Sequence, residues 1–384
     1  MAMPEEMVEE VLLRFPPDDP ASLLRAALVC KPWRRLVSGS RFRRRFRELH
    51  RPPPMLGFCY LRRDDPLYRF STRFFPTTSF RPRRADLRGW KAVDSRHGRV
   101  LLVHRSQTHF AVWDPITDEQ QQLPSPPAAP SCRSRNVAVV CAAAGACDHL
   151  DCQRGHFNVV FVCTGSMGTF LFVYSSEFGA WSQRATLPHR EFLNTMSSAV
   201  VGNALYFLMD SGSRILRYEL GTQEMSLIQG PHSSSYEWPI ALMTMEDGML
   251  GFATLLKSGL HLWSREIGPD RDARWVPSRV IAPETLLPFN TLSRSPAVIG
   301  VADGVRVLFL WSDDELFTVD LKSDQTRKVC GDSNMIAHHV VPYMSFYTPA
   351  LQVAFTEEGP NRGASSAQET QVVVQGILNQ DGST

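Results

Sequence analysis

The 384-residue sequence lacks the features that mark secreted and membrane proteins. Its eight cysteines are about 2% of the chain, too few for a disulfide-built scaffold. No apolar run approaches the ~18 residues of a membrane span, and the sequence contains no Asn-x-Ser/Thr sequon. The acidic start, M-A-M-P-E-E, lacks the basic residues and apolar core of a secretory signal. We therefore expect a cytoplasmic or nuclear protein with free thiols and no membrane partner.

An excess of one charge and the common enzyme motifs are also missing. Lys and Arg number 41 against 39 Asp and Glu, so the whole chain offers no electrostatic reason to bind nucleic acid. The sequence contains no Gly-x-Ser-x-Gly, no Gly-x-x-x-x-Gly-Lys and no His-Glu-x-x-His. The sequence thus indicates a non-catalytic protein, and we expect no cofactor.

What is present first is a short helical head. Met7, Val11 and Phe15 recur every four residues, which predicts one face of a helix, and prolines divide the first fifty residues into four helices. Residues 31–51 carry nine basic residues and one acidic residue, a net charge of +8. A unit this small buries little by itself. Its apolar residues therefore form a local core or dock on another helical protein, and spacing alone does not separate these duties.

From Leu56 onward the sequence predicts short antiparallel strands joined by tight turns. Residues at positions 113, 174, 218, 263 and 319 end comparable strands, and their spacings of 61, 44, 45 and 56 bracket the propeller blade period of about 40–50 residues. Five blades are readable. We predict that Leu56–Arg62 and Tyr343–Phe355 meet in a sixth, composite blade that closes the ring. Residues 357–384 are rich in Gly, Ser, Gln, Asn and Thr, which predicts a disordered tail.

The head resembles an F-box. The opening M-P-E-E-M-V-E-E-V-L-L-R-F-P and the run L-V-C-K-P-W-R-R-L-V at residues 28–37 follow that family's pattern, with Met3 and Met7 where Leu is usual. The strands resemble the F-box-associated propeller of plant, especially grass, F-box proteins, with V-W-D-P-I-T at residues 112–117 as a familiar phrase. The resemblance implies an α+β multidomain chain: an F-box at 1–50, a β-propeller at 51–356 and the tail at 357–384.

The resemblance also implies a function. An F-box binds a Skp-type adaptor, which joins a cullin-RING scaffold in an SCF ubiquitin ligase. The chain would then be the substrate-recognition subunit, and its propeller would bind an unknown target protein for ubiquitination and degradation. The alternatives are an F-box/propeller binding protein without a role in ubiquitin transfer, or a propeller that binds a glycan or small molecule.

Carried over residue by residue, the resemblance implies a set of adaptor-facing side chains. Four other apolar residues, Leu28, Leu36, Phe42 and Phe46, are expected to pack inside the head or against the propeller. The adaptor-binding candidates are Pro4, Met7, Val11, Leu12, Pro16, Leu23, Leu24, Val29, Cys30 and Trp33.

Three further groups of residues are weaker candidates for sites. His232, Tyr236 and Trp238 are candidate substrate anchors in a long loop between blades. The Arg41–Arg47 run is typical of a nuclear localisation or phosphate-binding patch, but a solvated helix face or an acidic partner surface is favoured.

The last group is a set of possible metal ligands. Cys132, Cys141, Cys147 and Cys152 cluster with His149 and His156. The gaps between these cysteines are eight, five and four residues and contain no Cys-x-x-Cys pair, so we predict a loop with free thiols and no metal site.

Overall fold

The structure is a computed structural model. It describes residues 4–64, 70–106, 109–127, 132–143, 145–231, 240–256, 258–267, 273–286, 297–312, 315–330 and 334–348, with the side chains of 330 and 337–339 left aside. The segment predicted to be a disordered tail lies outside these residues, as do the candidate anchors His232, Tyr236 and Trp238.

The head consists of four helices, Glu5–Leu13 (α1), Pro20–Val29 (α2), Lys31–Ser38 (α3) and Ser40–Leu49 (α4). Proline occupies an early position in α2 and α3, where its missing N–H has no helical partner to lose. Glu5 and Glu6 lie in the first turn of α1, where the helix dipole favours negative charge. The core of the head contains Val8, Leu12, Leu13, Leu23, Ala26, Ala27, Val37, Phe42, Phe46 and Phe346.

Six four-stranded antiparallel sheets follow, which confirms the predicted propeller. Blade I contains Trp90–Arg96 (β4), Arg99–His104 (β5), Phe110–Trp113 (β6) and Gln120–Leu123 (β7), and blade II contains Ser134–Cys141 (β8), Phe157–Gly165 (β9), Gly168–Ser175 (β10) and Ala180–Leu187 (β11). Blade III contains Ala199–Val201 (β12), Ala204–Leu208 (β13), Arg214–Glu219 (β14) and Met225–Gln229 (β15), and blade IV contains Ile240–Thr244 (β16), Leu250–Leu256 (β17), Gly259–Ile267 (β18) and Ala273–Ile281 (β19). A one-turn helix, Pro283–Leu286 (α5), leads to blade V, which contains Ala297–Ala302 (β20), Val307–Ser312 (β21), Glu315–Asp320 (β22) and Gln325–Cys330 (β23).

Blade VI joins the two ends of the propeller sequence. Its strand order places Met335–Met344 (β24) beside Met55–Arg63 (β1), followed by Phe70–Pro76 (β2) and Asp86–Arg88 (β3). The composite blade was predicted correctly, but its closing strand is Met335–Met344, which overlaps the predicted Tyr343–Phe355 only at residues 343–344; residues 349–355 of that range lie outside the described residues. The strand ends at Met344 because the chain then turns toward the head, where Ser345 N–H donates to the carbonyl of Pro54 (3.2 Å) and Phe346 is buried.

The core of the propeller is a ring of six apolar clusters, each shared by two neighbouring blades. Strand β9 shows how one segment serves two of them. Val159 and Phe161 pack with residues of blade I, whereas Val160 and Val162 pack with residues of blade III. Because side chains alternate along a strand, a nearly continuous apolar sequence buries both faces of a blade.

Candidate functional site

An apolar face on helices α1 and α2 points away from the rest of the head. Met7 and Val11 are exposed on α1, and Leu24, Leu28 and Val29 are exposed on α2. Leu28 is 83% exposed and Val29 is 64% exposed, although a large aliphatic side chain gains ~1.5–3 kcal/mol when it is buried. We name these five residues the apolar face. Exposed apolar side chains concentrated on two helices are a candidate interaction surface.

Most of the predicted adaptor-binding residues are accessible. Trp33 is half-buried at the edge of the head core. The exposed members of the predicted set are Pro4, Met7, Val11, Pro16, Leu24, Val29 and Cys30.

Two predicted interface residues and one predicted core residue require correction. Leu12 and Leu23 are 0% and 1% exposed, because they lie on the inner faces of α1 and α2 and complete the head core. Leu28 was predicted to pack inside but is exposed, because it lies one helical turn after Leu24 on the outer face. The inward placement of Phe42 and Phe46 is confirmed.

The basic helix α4 meets carboxylates of the same chain. Arg45 donates to Glu9 (2.7 Å) and to Glu10 (2.6 Å) on α1. Arg44 donates to Asp148 Oδ2 (2.8 Å), and its pKa is raised by that hydrogen bond. Three arginines of the Arg41–Arg47 run, Arg44, Arg45 and Arg47, are therefore paired with carboxylates of this chain, which neither the solvated face nor the acidic partner surface had predicted.

Arg47 connects the head with blade II. It donates to the carbonyl of Leu150 (2.7 Å) and to the carboxylate of Asp151. Burial lowers the pKa of the Arg47 guanidinium, an effect that Asp151 opposes. Phe346, which follows β24, packs edge-on against Phe46 at 6.2 Å between ring centroids. The buried Arg47 cation and the Phe46–Phe346 contact thus join Arg44 in holding the head on the propeller.

A cavity of about 600 Å³ lies inside the ring below the head. The innermost strands and the residues beside them line it with Asp94, Arg96, Ser198, Thr244 and Asp303. Arg47 of the head and Arg51 and Pro52 of the segment after the head complete the wall. This volume falls within the range of small-molecule sites, ~300–1,000 Å³.

The polar groups of the cavity form two clusters. Asp94 contacts Arg96 and accepts the N–H of Val139 (2.8 Å), while Arg96 donates to Ser198 Oγ (3.1 Å). Burial raises the pKa of the Asp94 carboxyl, and Arg96 opposes that rise. Across the ring, burial raises the pKa of Asp303 to about 6.

His97 also lines the cavity. Burial and the neighbouring His149 lower its pKa to about 3, so that His97 is neutral at neutral pH.

Four of the six metal-ligand candidates come together in space. The ligand atoms of Cys141, Cys147, His149 and Cys152 all lie within 4.8 Å of one another. Cys132 lies apart and is hydrogen-bonded to Cys163 instead. A search for Cys-x-x-Cys does not find this group, but His149 and Cys152 are themselves separated by two residues, and that close pair was the available signal.

No helix among the described residues is long and apolar enough to cross a membrane. No curated protein matches the chain. Among solved structures, the chain is similar to the WD40 domain of SCAP from fission yeast, with 17% identity, 62% of this chain and 50% of that chain covered, and a TM-score of 0.38. It is also similar to TolB from Acinetobacter baumannii, with 13% identity, coverage of 79% and 73%, and a TM-score of 0.44. At these values neither likeness says anything about function.

Two family models match the chain. The F-box domain matches residues 1–45, which contain α1 to α3 and the start of α4. The family described as "F-box protein AT5G49610-like, beta-propeller" matches residues 91–351, more than half of the chain, and this range contains blades I to V and strand β24. The chain therefore belongs to the family of F-box proteins that carry the AT5G49610-like β-propeller.

Proposed function

We propose that this chain is the substrate-recognition subunit of an SCF-type E3 ubiquitin ligase. The head binds a Skp-type adaptor and, through it, a cullin-RING scaffold, while the propeller binds a target protein. The F-box and propeller families support this arrangement. The chain performs no bond chemistry in this proposal; it holds the target close to the ubiquitin-bearing enzyme, and its contribution is proximity.

The single observation that carries the proposal is the apolar face. Eleven large hydrophobic side chains are exposed among the described residues, and five of them are those of the apolar face, on only two helices. Of the remaining six, Leu49 lies on α4, Met167 and Phe178 lie in the turns of blade II, and Ile267 lies on blade IV. Burying such a cluster against a partner would remove apolar surface from water and supply most of the binding free energy.

The direct contact between head and propeller also supports the proposal. Proximity helps a reaction only when the bound target is held in a defined place relative to the enzyme. Arg47 and Phe346 anchor the head on the propeller, and Arg44 adds a hydrogen bond to Asp148. A target bound by the propeller would therefore keep a fixed distance from the adaptor.

Co-purification with a Skp-type adaptor tests the docking assignment. Leu24→Asp and Val29→Asp each place a charge on the apolar face without touching the buried core, so we expect each to reduce adaptor binding at least tenfold. Trp33→Ala tests the half-buried edge of the same face. Ile267→Asp is the matched control, because Ile267 is 59% exposed on blade IV, and it should bind the adaptor as wild type does. Wild-type binding by both Leu24→Asp and Val29→Asp would refute the assignment.

A second measurement separates ubiquitin transfer from simple binding. With the proteasome blocked, wild-type protein should co-purify with an ubiquitinated target, whereas Leu24→Asp should retain the target without ubiquitin. A target that carries no ubiquitin in either preparation, while the adaptor is bound, would favour the alternative of a binding protein without ubiquitin transfer.

The cavity favours a second candidate function, the binding of a small molecule or glycan inside the ring. Its wall carries both acidic groups, Asp94 and Asp303, and a basic group, Arg96, and its volume is that of a ligand site. A thermal-shift screen of sugars and small anions with purified protein tests this candidate. We expect binders to lose their effect in Arg96→Met, and a screen without any shift in wild type would count against it.

A further inference from the structure

The four clustered ligands come from the end of one strand and the segment after it. Cys141 is the last residue of β8, and Cys147, His149 and Cys152 follow before β9 begins at Phe157. We call residues 145–156 the cysteine loop. All four atoms are within 4.8 Å of one another, and Cys152 Sγ lies 3.6 Å from His149 Nδ1. None of the three cysteines is in a disulfide.

This donor set has the composition and nearly the dimensions of a structural zinc site. Tetrahedral Zn²⁺ with Zn–S of ~2.3 Å and Zn–N of ~2.0 Å requires ligand atoms ~3.5–3.8 Å apart. The His149–Cys152 pair already has that separation, and the widest pair needs to close by only about 1 Å. Thiolates and imidazole select zinc over magnesium or calcium, which prefer oxygen.

The backbone of the cysteine loop is held in a shape that directs the ligands inward. His149 adopts a positive φ of 57°, which non-glycine residues seldom do, and its N–H lies 3.3 Å from Cys147 Sγ, where it would stabilise a thiolate. The imidazole of His149 stacks on that of His97 with 4.2 Å between ring centroids.

Arg99 of blade I secures the other end of the cysteine loop. Its guanidinium donates to the carbonyls of Cys152 (2.8 Å) and Gly155 (2.6 Å) and lies beside the Phe157 ring. Three thiolates, one neutral imidazole and Zn²⁺ carry a net charge of −1. The cations Arg99 and Arg47 lie close enough to Cys152 to balance that charge.

We propose that Cys141, Cys147, His149 and Cys152 bind a structural Zn²⁺ ion that fixes the platform on which the F-box head rests. All four coordination positions are filled by protein, so the site leaves no open position for catalysis. Binding displaces the three thiol protons to solvent, and no bond is oxidised or reduced.

The position of the cysteine loop gives this metal a role in the assembly of the chain. Arg44 binds Asp148, and Arg47 binds Leu150 and Asp151. Each of these three loop residues is next in sequence to one of the ligands His149 and Cys152. The contacts between α4 and blade II are thus made largely through the loop that the metal would order. Loss of the metal would loosen the head without removing any head residue.

Metal analysis of the purified full-length chain tests the site. Wild-type protein is expressed with reductant and zinc and then dialysed against buffer. Elemental mass spectrometry should then find one zinc ion per chain. Cys147→Ser and Cys152→Ser should each lower the zinc content to below one fifth of an ion per chain. Cys132→Ser is the matched control, because Cys132 belongs to the same sequence cluster but lies beside Cys163, and it should keep its zinc.

Two further readouts keep the test decisive if a variant folds poorly. Co²⁺ added to the metal-free wild type should give the intense visible absorption of a tetrahedral thiolate complex. Chelation should increase amide hydrogen exchange in the cysteine loop and α4 but not in blade IV. Zinc-free wild type, a disulfide between Cys147 and Cys152 in its intact mass, or equal zinc in Cys152→Ser would each overturn the proposal. None of these measurements needs the adaptor, so they are independent of the proposed function.

Discussion

Titration of Asp303 should make the free energy of unfolding depend on pH. Asp303 is half-buried on the cavity wall and accepts the N–H of Thr244 (3.2 Å). Because burial raises its pKa to about 6 from 3.8, the folded chain binds more protons than the unfolded chain between these pH values. Its contribution to the free energy of unfolding is therefore greatest below pH 4 and falls as the pH rises through 6.

Asp303→Asn should remove this part of the pH dependence, since the amide keeps an acceptor and does not ionise. We expect the variant to be about 1–2 kcal/mol more stable than wild type at pH 7, because water in the cavity screens part of the full shift. Urea unfolding at pH 4, 5, 6 and 7 measures the difference. Parallel curves for the two proteins would contradict the assignment.

Individual residues were also where sequence reasoning reached its limit. The period of α1 and α2 predicted amphipathic helices, but each helix has apolar residues on both faces. Leu12 was therefore predicted to lie at the surface but is buried, and Leu28 was predicted to be buried but is exposed. Only packing against α3 and α4 decides which face turns inward. Similarly, the sequence spacing of the four proposed zinc ligands matches no common zinc motif, and only the folded structure shows that they meet.

At the scale of elements, the contact between Phe346 and the head is the most informative one to remove. Phe346 belongs to the chain after β24 but is buried in the head core beside Phe46. Phe346→Ala should lower the free energy of unfolding by about 3 kcal/mol, since it deletes a buried aromatic ring. Phe178→Ala, at a residue 78% exposed, should change it by less than about 0.5 kcal/mol.

Thermal unfolding of both variants, with hydrogen exchange of α4, checks that prediction. In Phe346→Ala the exchange of α4 should rise more than that of blade III, which is distant in sequence and belongs to other apolar clusters. A uniform rise throughout the chain would mean that Phe346 supports the propeller alone.

The strands themselves were predictable where the sequence carries an alternating pattern and tight turns. The sequence of blade III carries clear strand signals: Gly202-Asn203 forms the turn between β12 and β13, and apolar and polar residues alternate along β14, Arg214–Glu219. Strand β7, Gln120–Leu123, carries none, because its three consecutive glutamines give no apolar signal; it is an outer strand with little to bury. The closing strand was misplaced because aromatic residues after Met344 suggested a strand, whereas Phe346 serves the head.

At the scale of the whole molecule, the ring depends on one strand. Blade VI is closed by pairing of β24 with β1, in the register Gly57↔Tyr343 and Cys59↔Val341. A chain stopped after residue 330 loses this inner strand and leaves β1 with an open edge. We expect it to aggregate or unfold, with no cooperative thermal transition in circular dichroism.

A chain stopped after residue 349 is the matched control. It retains β24 and Phe346 and removes only residues 350–384, which lie outside the described part of the chain. Its melting temperature should lie within a few degrees of wild type. A cooperative transition in the 330-residue chain would show that five blades suffice.

The passage of the chain from β24 straight into the head core has a consequence for protein abundance. Strand β24, which closes the propeller, and Phe346, which packs into the head core, are adjacent in sequence. Partial unfolding at either place therefore also weakens the packing at the other. A partner that binds only the folded head stabilises the chain by RT ln(1 + [L]/Kd), about 2.7 kcal/mol at a hundredfold excess over Kd. If a Skp-type adaptor is that partner, as proposed above, cells short of adaptor should clear the unbound chain faster, and the amount of this protein should follow the amount of adaptor without any change in synthesis.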